Sequence, residues 1–223
     1  MDAASSGFCN KVSPTPRFCA DFDEGSLMTG WTTNNINPAG SISLDTQAIF
    51  SEPASARVNM AANAPGCAYA RLEVSLPGAP TKATLSYEIR LGAIGGGSFP
   101  STVIVSEMGI PLAVGSYLLY VDLGPSSADV REQLTASDGG VQQTSHALPI
   151  QPLDTWRRVD LIVDLAAATY AVNVEGVQVA NGPLSYPVPA PQGLFVGIGL
   201  GCLPATSSAF ELRYDNVVAN TTN

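Results

Sequence analysis

Carboxylates, one histidine, and a few aromatic and amide side chains are the groups through which this chain could do chemistry. Glu107 stands in VIVSEMG, and its same-face neighbours Val105 and Gly109 carry no second carboxylate. Asp160 and Asp164 share a face by parity, but Ile162 lies between them. Hydrolysis of a glycosidic bond takes two carboxylates roughly 5–10 Å apart across the scissile bond. Neither arrangement supplies a ready pair. His146 is the sole histidine, and it lies in the polar stretch QQTSHAL, read as loop. No serine–histidine–carboxylate set or second metal ligand stands near it. A GxSxG nucleophile motif is absent.

The remaining candidates are binding groups. Exposed aromatics on a β-sandwich can stack on the apolar faces of sugar rings. Tyr117 and Tyr120 differ in parity, so they point to opposite faces of a strand, and whichever meets solvent is the candidate contact. Asn34, Asn35 and Asn37 fall in a segment, 34–40, read as a polar loop suited to hydroxyl recognition. Asn220-Thr221-Thr222 matches a glycosylation sequon and is read as part of a C-terminal tail.

The elements that must position these groups are clearest from Trp156 to Asn181. Val159, Leu161, Val163 and Leu165 alternate, as do Tyr170, Val172 and Val174, and Val177 and Val179 resume beyond Glu175-Gly176. Period-two alternation puts apolar side chains on one face of a strand. The Glu-Gly pair supplies the positive φ of a tight hairpin. Three consecutive antiparallel strands follow. Similar runs are read at 18–22, 41–45, 56–60, 68–75, 83–91, 102–108, 117–123, 130–136, 193–200 and 210–218, with a glycine break at Gly95-Gly96-Gly97. No window carries helical periodicity. Many short strands punctuated by Gly and Pro predict an all-β chain of two antiparallel sheets packed face to face.

At 223 residues with no linker or repeat, one domain is expected, spanning 18–219, with a mobile lead over 1–17 and a tail over 220–223. The net charge of −9 and the absence of a basic stripe argue against nucleic acid and anionic membrane surfaces as partners. No apolar run is long enough to form a transmembrane segment. The four cysteines lack metal-site spacing and are read as disulfides of an oxidising compartment. Cys9 and Cys19 bracket a short proline-limited loop. Cys67 starts one strand and Cys202 ends another, so antiparallel neighbours would bring them together. The pairing expected is Cys9–Cys19 and Cys67–Cys202. A secreted or cell-surface protein is implied, and eight Arg against two Lys with abundant Ala point to a GC-rich bacterial genome.

Phe22-Asp23-Glu24-Gly25 followed by Trp31, the run Trp156, Val159, Leu161, Val163 with its hairpin, and the ending Tyr214-Asp215-Asn216-Val217 resemble the concanavalin A-like lectin/glucanase superfamily, especially its LamG-like group. The likeness covers residues 18–219 and implies a jelly roll whose first and last strands lie side by side, with Trp31 and Trp156 as core anchors. The ExDxxE strand of that superfamily's glucanases has no counterpart here. The resemblance also implies a structural Ca²⁺, an ion that takes about six to eight oxygens. Asp23 and Glu24, beside Asp21, with Asp215 opposite would supply them. The functional expectation is a non-catalytic extracellular recognition module for a glycan or an extracellular protein. The alternatives are a structural or adhesive domain, and a glycan-active enzyme with an atypical carboxylate pair.

Overall fold

The computed structural model of the protein describes residues 7–37, 39–62, 66–92, 103–124, 127–149, 155–203 and 208–223. The glycine break at 95–97 and the first residue of the strand expected at 102–108 lie outside them. A 3₁₀ turn, Phe8–Asn10, precedes strands β1 (Phe18–Ala20), β2 (Thr33–Ile36), β3 (Gly40–Asp45), β4 (Ser55–Met60) and β5 (Ala68–Pro77). Then come β6 (Lys82–Leu91), β7 (Val103–Pro111), β8 (Ser116–Leu123), β9 (Ala128–Thr135) and β10 (Val141–Leu148). The chain closes with β11 (Arg157–Asp164), β12 (Thr169–Val174), β13 (Val177–Pro183), β14 (Gly193–Leu203) and β15 (Phe210–Thr222).

The strands form two antiparallel sheets. Sheet A runs β13-β12-β11-β6-β15-β4-β3, with β1 also paired to β15. Sheet B runs β10-β9-β8-β7-β14-β5-β2. The β12–β13 hairpin turns at Glu175 and Gly176, with φ of 51° and 75°. Positive φ at both central residues matches the turn to the right-handed strand twist. The inward residues of β11 (Val159, Leu161, Val163) meet Tyr170, Val172 and Val174 across the ladder. Burying a side chain such as Leu161 contributes about 1.5–3 kcal/mol.

Polar ties cross the core between the sheets. β7 breaks register between Ile104 and Ser106. A bulge disrupts the ladder locally. The Val105 carbonyl there accepts a 2.6 Å hydrogen bond from Tyr214 Oη of sheet A. Tyr87 Oη, also from sheet A, bonds Ser106 Oγ at 2.6 Å. Strand β15 breaks register between Asp215 and Val218, so β4 pairs its first half and β1 pairs Val217 to Ala219. The Asp-Asn-Val motif is therefore a bulge, with Asn216 at φ 49°.

Four expectations are corrected. Residues 33–36 form β2 rather than loop, and residues 141–148 form β10. Both are edge strands with mostly exposed or half-exposed polar side chains, so hydrophobic alternation is missing where only one neighbour covers the strand. Residues 220–222 are no tail but the end of β15, paired with Lys82 to Thr84 of β6. Trp31 is buried against Phe18, whereas Trp156 is only half-buried and meets the exposed ring of Phe50.

Candidate functional site

The polar cluster with the most chemistry lies on the outer face of sheet B. Alternation along β5 turns Leu72 and Val74 inward and Tyr69, Arg71, Glu73 and Ser75 outward. Register then lines up one row across five strands: Glu73, Gly197, Glu107, Tyr120 and Arg131. A second row beside it holds Ser75, Phe195, Gly109, Leu118, Gln133 and Gln143.

Glycines make the centre of this face possible. Arg71 stands on β5 and its partner Glu107 on β7, with β14 between them. A Cβ on Gly197 would lie 3.3 Å from Arg71 Nη2. With no side chain there, the guanidinium crosses β14 to reach Glu107 Oε2 at 3.1 Å, while it also holds Glu73 Oε1 at 2.7 Å. It passes over the Phe195 ring at 5.8 Å. Glu73 accepts a further hydrogen bond from Asn35 Nδ2 on β2.

On the other side of the row, the Tyr120 hydroxyl donates to Gln133 Oε1. Gln143 Nε2 donates to the same oxygen at 2.8 Å. Asp122, also on this face, pairs with Arg131. Burial pushes the Glu107 carboxyl up, opposed by the Arg71 guanidinium and reinforced by Glu73. Burial likewise pushes Asp122 up to about 6 against the pull of Arg131. The Tyr120 phenol is raised by burial, so it stays a proton donor at neutral pH.

The sequence candidates divide. Tyr117 points inward, 0% exposed, with its hydroxyl on Glu132, and is corrected from binding group to core residue. Tyr120 belongs to the outer face, but its ring is covered and only 2% exposed, so it offers an edge hydroxyl and no stacking surface. Asn35 joins the cluster, whereas Asn34 turns away on the same strand and is exposed. Asn37 caps its own turn by accepting the Ala39 N–H. His146 sits on β10, its Nε2 against Glu132 in the interior. Arg71, Glu73, Gln133 and Gln143 carried no sequence signal, because only strand register brings them together.

A second cluster lies where β1 leaves sheet A. Asp21 is 1% exposed, and one carboxylate oxygen accepts the Cys9 N–H at 2.8 Å. Asp23 Oδ1 is buried without a hydrogen-bond partner. A Cβ on Gly7 would meet Asp21 Oδ2 at 2.7 Å and Asp23 Oδ2 at 2.8 Å, so both carboxylates close on one point. Burial, then the neighbouring Asp21 and Glu24, push the Asp23 carboxyl up to about 6. Asp23 and Asn216 line the same cavity, of about 420 Å³. Glu24 is exposed and is not among the residues that line the cavity. Asp215 is occupied elsewhere: it accepts the N–H groups of Phe50, Ser51 and Asn216 and the Ser51 hydroxyl. Burial pushes its carboxyl up to about 7 against those bonds. Among the described residues no three His, Cys, Asp or Glu side chains form a metal-holding group. Asp21, Asp23 and Asn216 offer side-chain oxygens, the ligand type that hard cations take.

No family model matches the chain, and no curated protein matches it. Solved structures share the fold. The crystal structure of an endo-β-1,4-glucuronan lyase from the fungus Trichoderma reesei has a TM-score of 0.74 at 14% identity, covering 93% of this chain and 96% of that one. The cellulose induced protein Cip1 gives 0.61 at 15% identity, covering 92% and 97%. A botulinum neurotoxin type C structure, described by its dependence on two ganglioside molecules for cell entry, gives 0.57 at 10% identity, covering 92% of this chain and 48% of that one. With its two antiparallel sheets, the chain has the concanavalin A-like jelly-roll fold that its residues resemble.

Proposed function

We propose that this is an extracellular carbohydrate-binding protein that holds a polysaccharide across the outer face of sheet B. The observation that carries the reading is the row built around Arg71. Directional donors and acceptors (Asn35, Glu73, Glu107, Tyr120, Gln133, Gln143) spread over six strands beside the apolar Phe195 and Leu118. A sugar chain offers the complementary pattern, hydroxyls at its edges and C–H groups on its faces. Structures of this fold whose names concern a glucuronan lyase and ganglioside interaction support the same chemistry. The two disulfides fit an oxidising compartment.

Affinity electrophoresis through gels holding β-1,4-glucuronan, cellulose derivatives or ganglioside glycans tests it. Retardation by one polysaccharide is expected, lost on Arg71→Ala and on Gly197→Val, which would push Arg71 off Glu107. Unretarded migration in every gel would overturn the carbohydrate reading and favour the adhesive alternative.

A second reading, a lyase, is favoured by one specific arrangement. Elimination from a uronate takes the proton α to the carboxylate, forms the C4–C5 double bond and expels the C4 oxygen. It therefore needs a base, a counter-charge for the carboxylate and a proton donor for the departing oxygen. Tyr120 and Glu107 are paired in register, and Glu107 is bound to Arg71. Arg71 would counter the uronate carboxylate, Glu107 would take the α-proton, and Tyr120, which stays protonated, would donate to the departing oxygen. Turnover producing unsaturated uronate ends, abolished by Tyr120→Phe, would establish it. New reducing ends without unsaturation would instead mark hydrolysis, for which Glu73 and Glu107 on either side of Arg71 are the carboxylate pair.

We also propose a structural Ca²⁺ at Asp21 and Asp23, whose carboxylates close on one point, with Asn216 lining the same cavity. The ion would neutralise two carboxylates that otherwise repel and would tie the Cys9 loop to the β15 bulge. A consequence in pH follows. Asp23, Asp122 and Asp215 are all raised above their ordinary value of 3.8. Each contributes stability that is full below about pH 4 and is lost as pH rises through about 6 to 7. In EDTA the melting temperature is expected to fall over that window. Millimolar calcium should raise it at neutral pH and flatten the part due to Asp23. Identical melting curves with calcium and with EDTA would remove the ion from the account.

A further inference from the structure

We infer that Tyr69, with Asn35 and the Cys67–Cys202 disulfide, forms an end subsite of the sheet B face that stacks one pyranose ring of the bound polysaccharide. The inference rests on the carbohydrate reading above and extends it to a residue outside the central row.

Tyr69 lies two residues before Arg71 on β5, so both point to the outer face, about 7 Å apart along the strand. It is 39% exposed, against 2% for Tyr120. The ring of Tyr69 therefore has open surface to offer, which the centre of the site lacks. A cleft of about 290 Å³ adjoins it, lined by Asn35, Tyr69, Arg71, Glu73 and the two cysteines. An amide, a guanidinium and a carboxylate in the cleft can bond ring hydroxyls in both directions. The aromatic body of Tyr69 beside them can cover the apolar C–H face of the same ring.

The platform is also held still. Cys67 immediately precedes β5 and Cys202 lies near the end of β14. Both residues are exposed and both adopt positive φ, 58° and 25°. The disulfide between them ties two turning chains together just where β5 would otherwise fray. A contact surface fixed before binding loses less conformational freedom when the ligand arrives. The apolar Leu118 and Phe195 lie on the other side of the central row, beside a cleft with Ser75 and Ser116. Only the edge strand β2 lies beyond β5, so Tyr69 stands near one end of a row that runs on to β10.

Isothermal titration with β-1,4-glucurono-oligosaccharides and cello-oligosaccharides, each as short and long chains, tests the inference. Tyr69→Ala should bind the long oligosaccharide roughly tenfold more weakly and the short one unchanged. Tyr69→Trp should restore the long-chain affinity, since it keeps a platform. Because Tyr69 is exposed, both Tyr69 variants should melt as the wild type does. Equal long-chain affinity in wild type and Tyr69→Ala, with Arg71→Ala still defective, would overturn the subsite and leave the carbohydrate reading standing. Equal weakening for short and long chains would overturn an end position. Failure of the wild type to bind either series would overturn both.

Discussion

Replacing Glu132 by alanine is expected to cost about 3–5 kcal/mol of folding stability, although the residue lies outside the outer-face cluster. Its side chain is 0% exposed, on the inner face of β9. Four hydrogen bonds converge on it: from Tyr117 Oη at 2.8 Å, from the Ser185 N–H at 2.8 Å and hydroxyl at 2.7 Å, and with His146 Nε2 at 3.0 Å. Burial, then the Glu132 carboxylate, pushes the Tyr117 phenol far up, so it remains a donor throughout the physiological range. Alanine would leave a buried phenol and a main-chain N–H without an acceptor. It would also free the chain that links β13 to β14. Glu132→Gln keeps one acceptor oxygen and should cost distinctly less. Urea unfolding of the three proteins measures the difference. An alanine variant within about 1 kcal/mol of wild type would mean that the cluster contributes little.

The second large effect concerns the long disulfide. Cys67 and Cys202 are 135 residues apart in sequence, and Cys9 and Cys19 only 10. Closing the longer loop restricts the unfolded chain more. The chain-entropy model assigns the long link about 4–5 kcal/mol and the short one about 2–3 kcal/mol. Replacing both Cys67 and Cys202 by alanine should therefore lower the melting temperature by roughly 8–20 °C. The Cys9/Cys19 double variant should lower it by clearly less. Calorimetry of the two variants, with peptide mapping of the wild type under non-reducing conditions, settles the order. An equal or reversed order would show that the N-terminal loop matters more to the native state than its length implies.

Much of the architecture was legible because apolar alternation is a local signal. Leu161 and Val163 announce their strand within a few residues, and Glu175-Gly176 announces the hairpin. Cys67 and Cys202 could be paired because each stands at the end of a readable strand. Strands β2 and β10 were not legible. At a sheet edge, Asn34, Gln142 and Gln143 face water, and the ladder to a single neighbour holds them extended. The candidate site was hidden for a different reason. Its residues come from strands distant in sequence, and the row Glu73–Glu107–Tyr120–Arg131 exists only once register is set. Within its own strand, Glu107 has no carboxylate beside it. Its partner arrives across β14, over a glycine whose missing side chain carries no visible meaning in the sequence. That Asp215 bonds main-chain N–H groups was foreseeable from its residue type, but which ones was not, since its bonds to the 50–51 segment depend on a bulge.

The central claim is that ligand lies across the outer face of sheet B. Backbone amide chemical-shift mapping during titration with a long β-1,4-glucurono-oligosaccharide tests it most directly. The account predicts perturbations confined to Asn35, Arg71, Glu73, Glu107, Tyr120, Gln133 and Gln143 and their strand neighbours, extending to Tyr69. Perturbations centred on the charged outer face of sheet A, around Arg57, Glu88 and Arg213, or no perturbation on sheet B at saturating ligand, would contradict it.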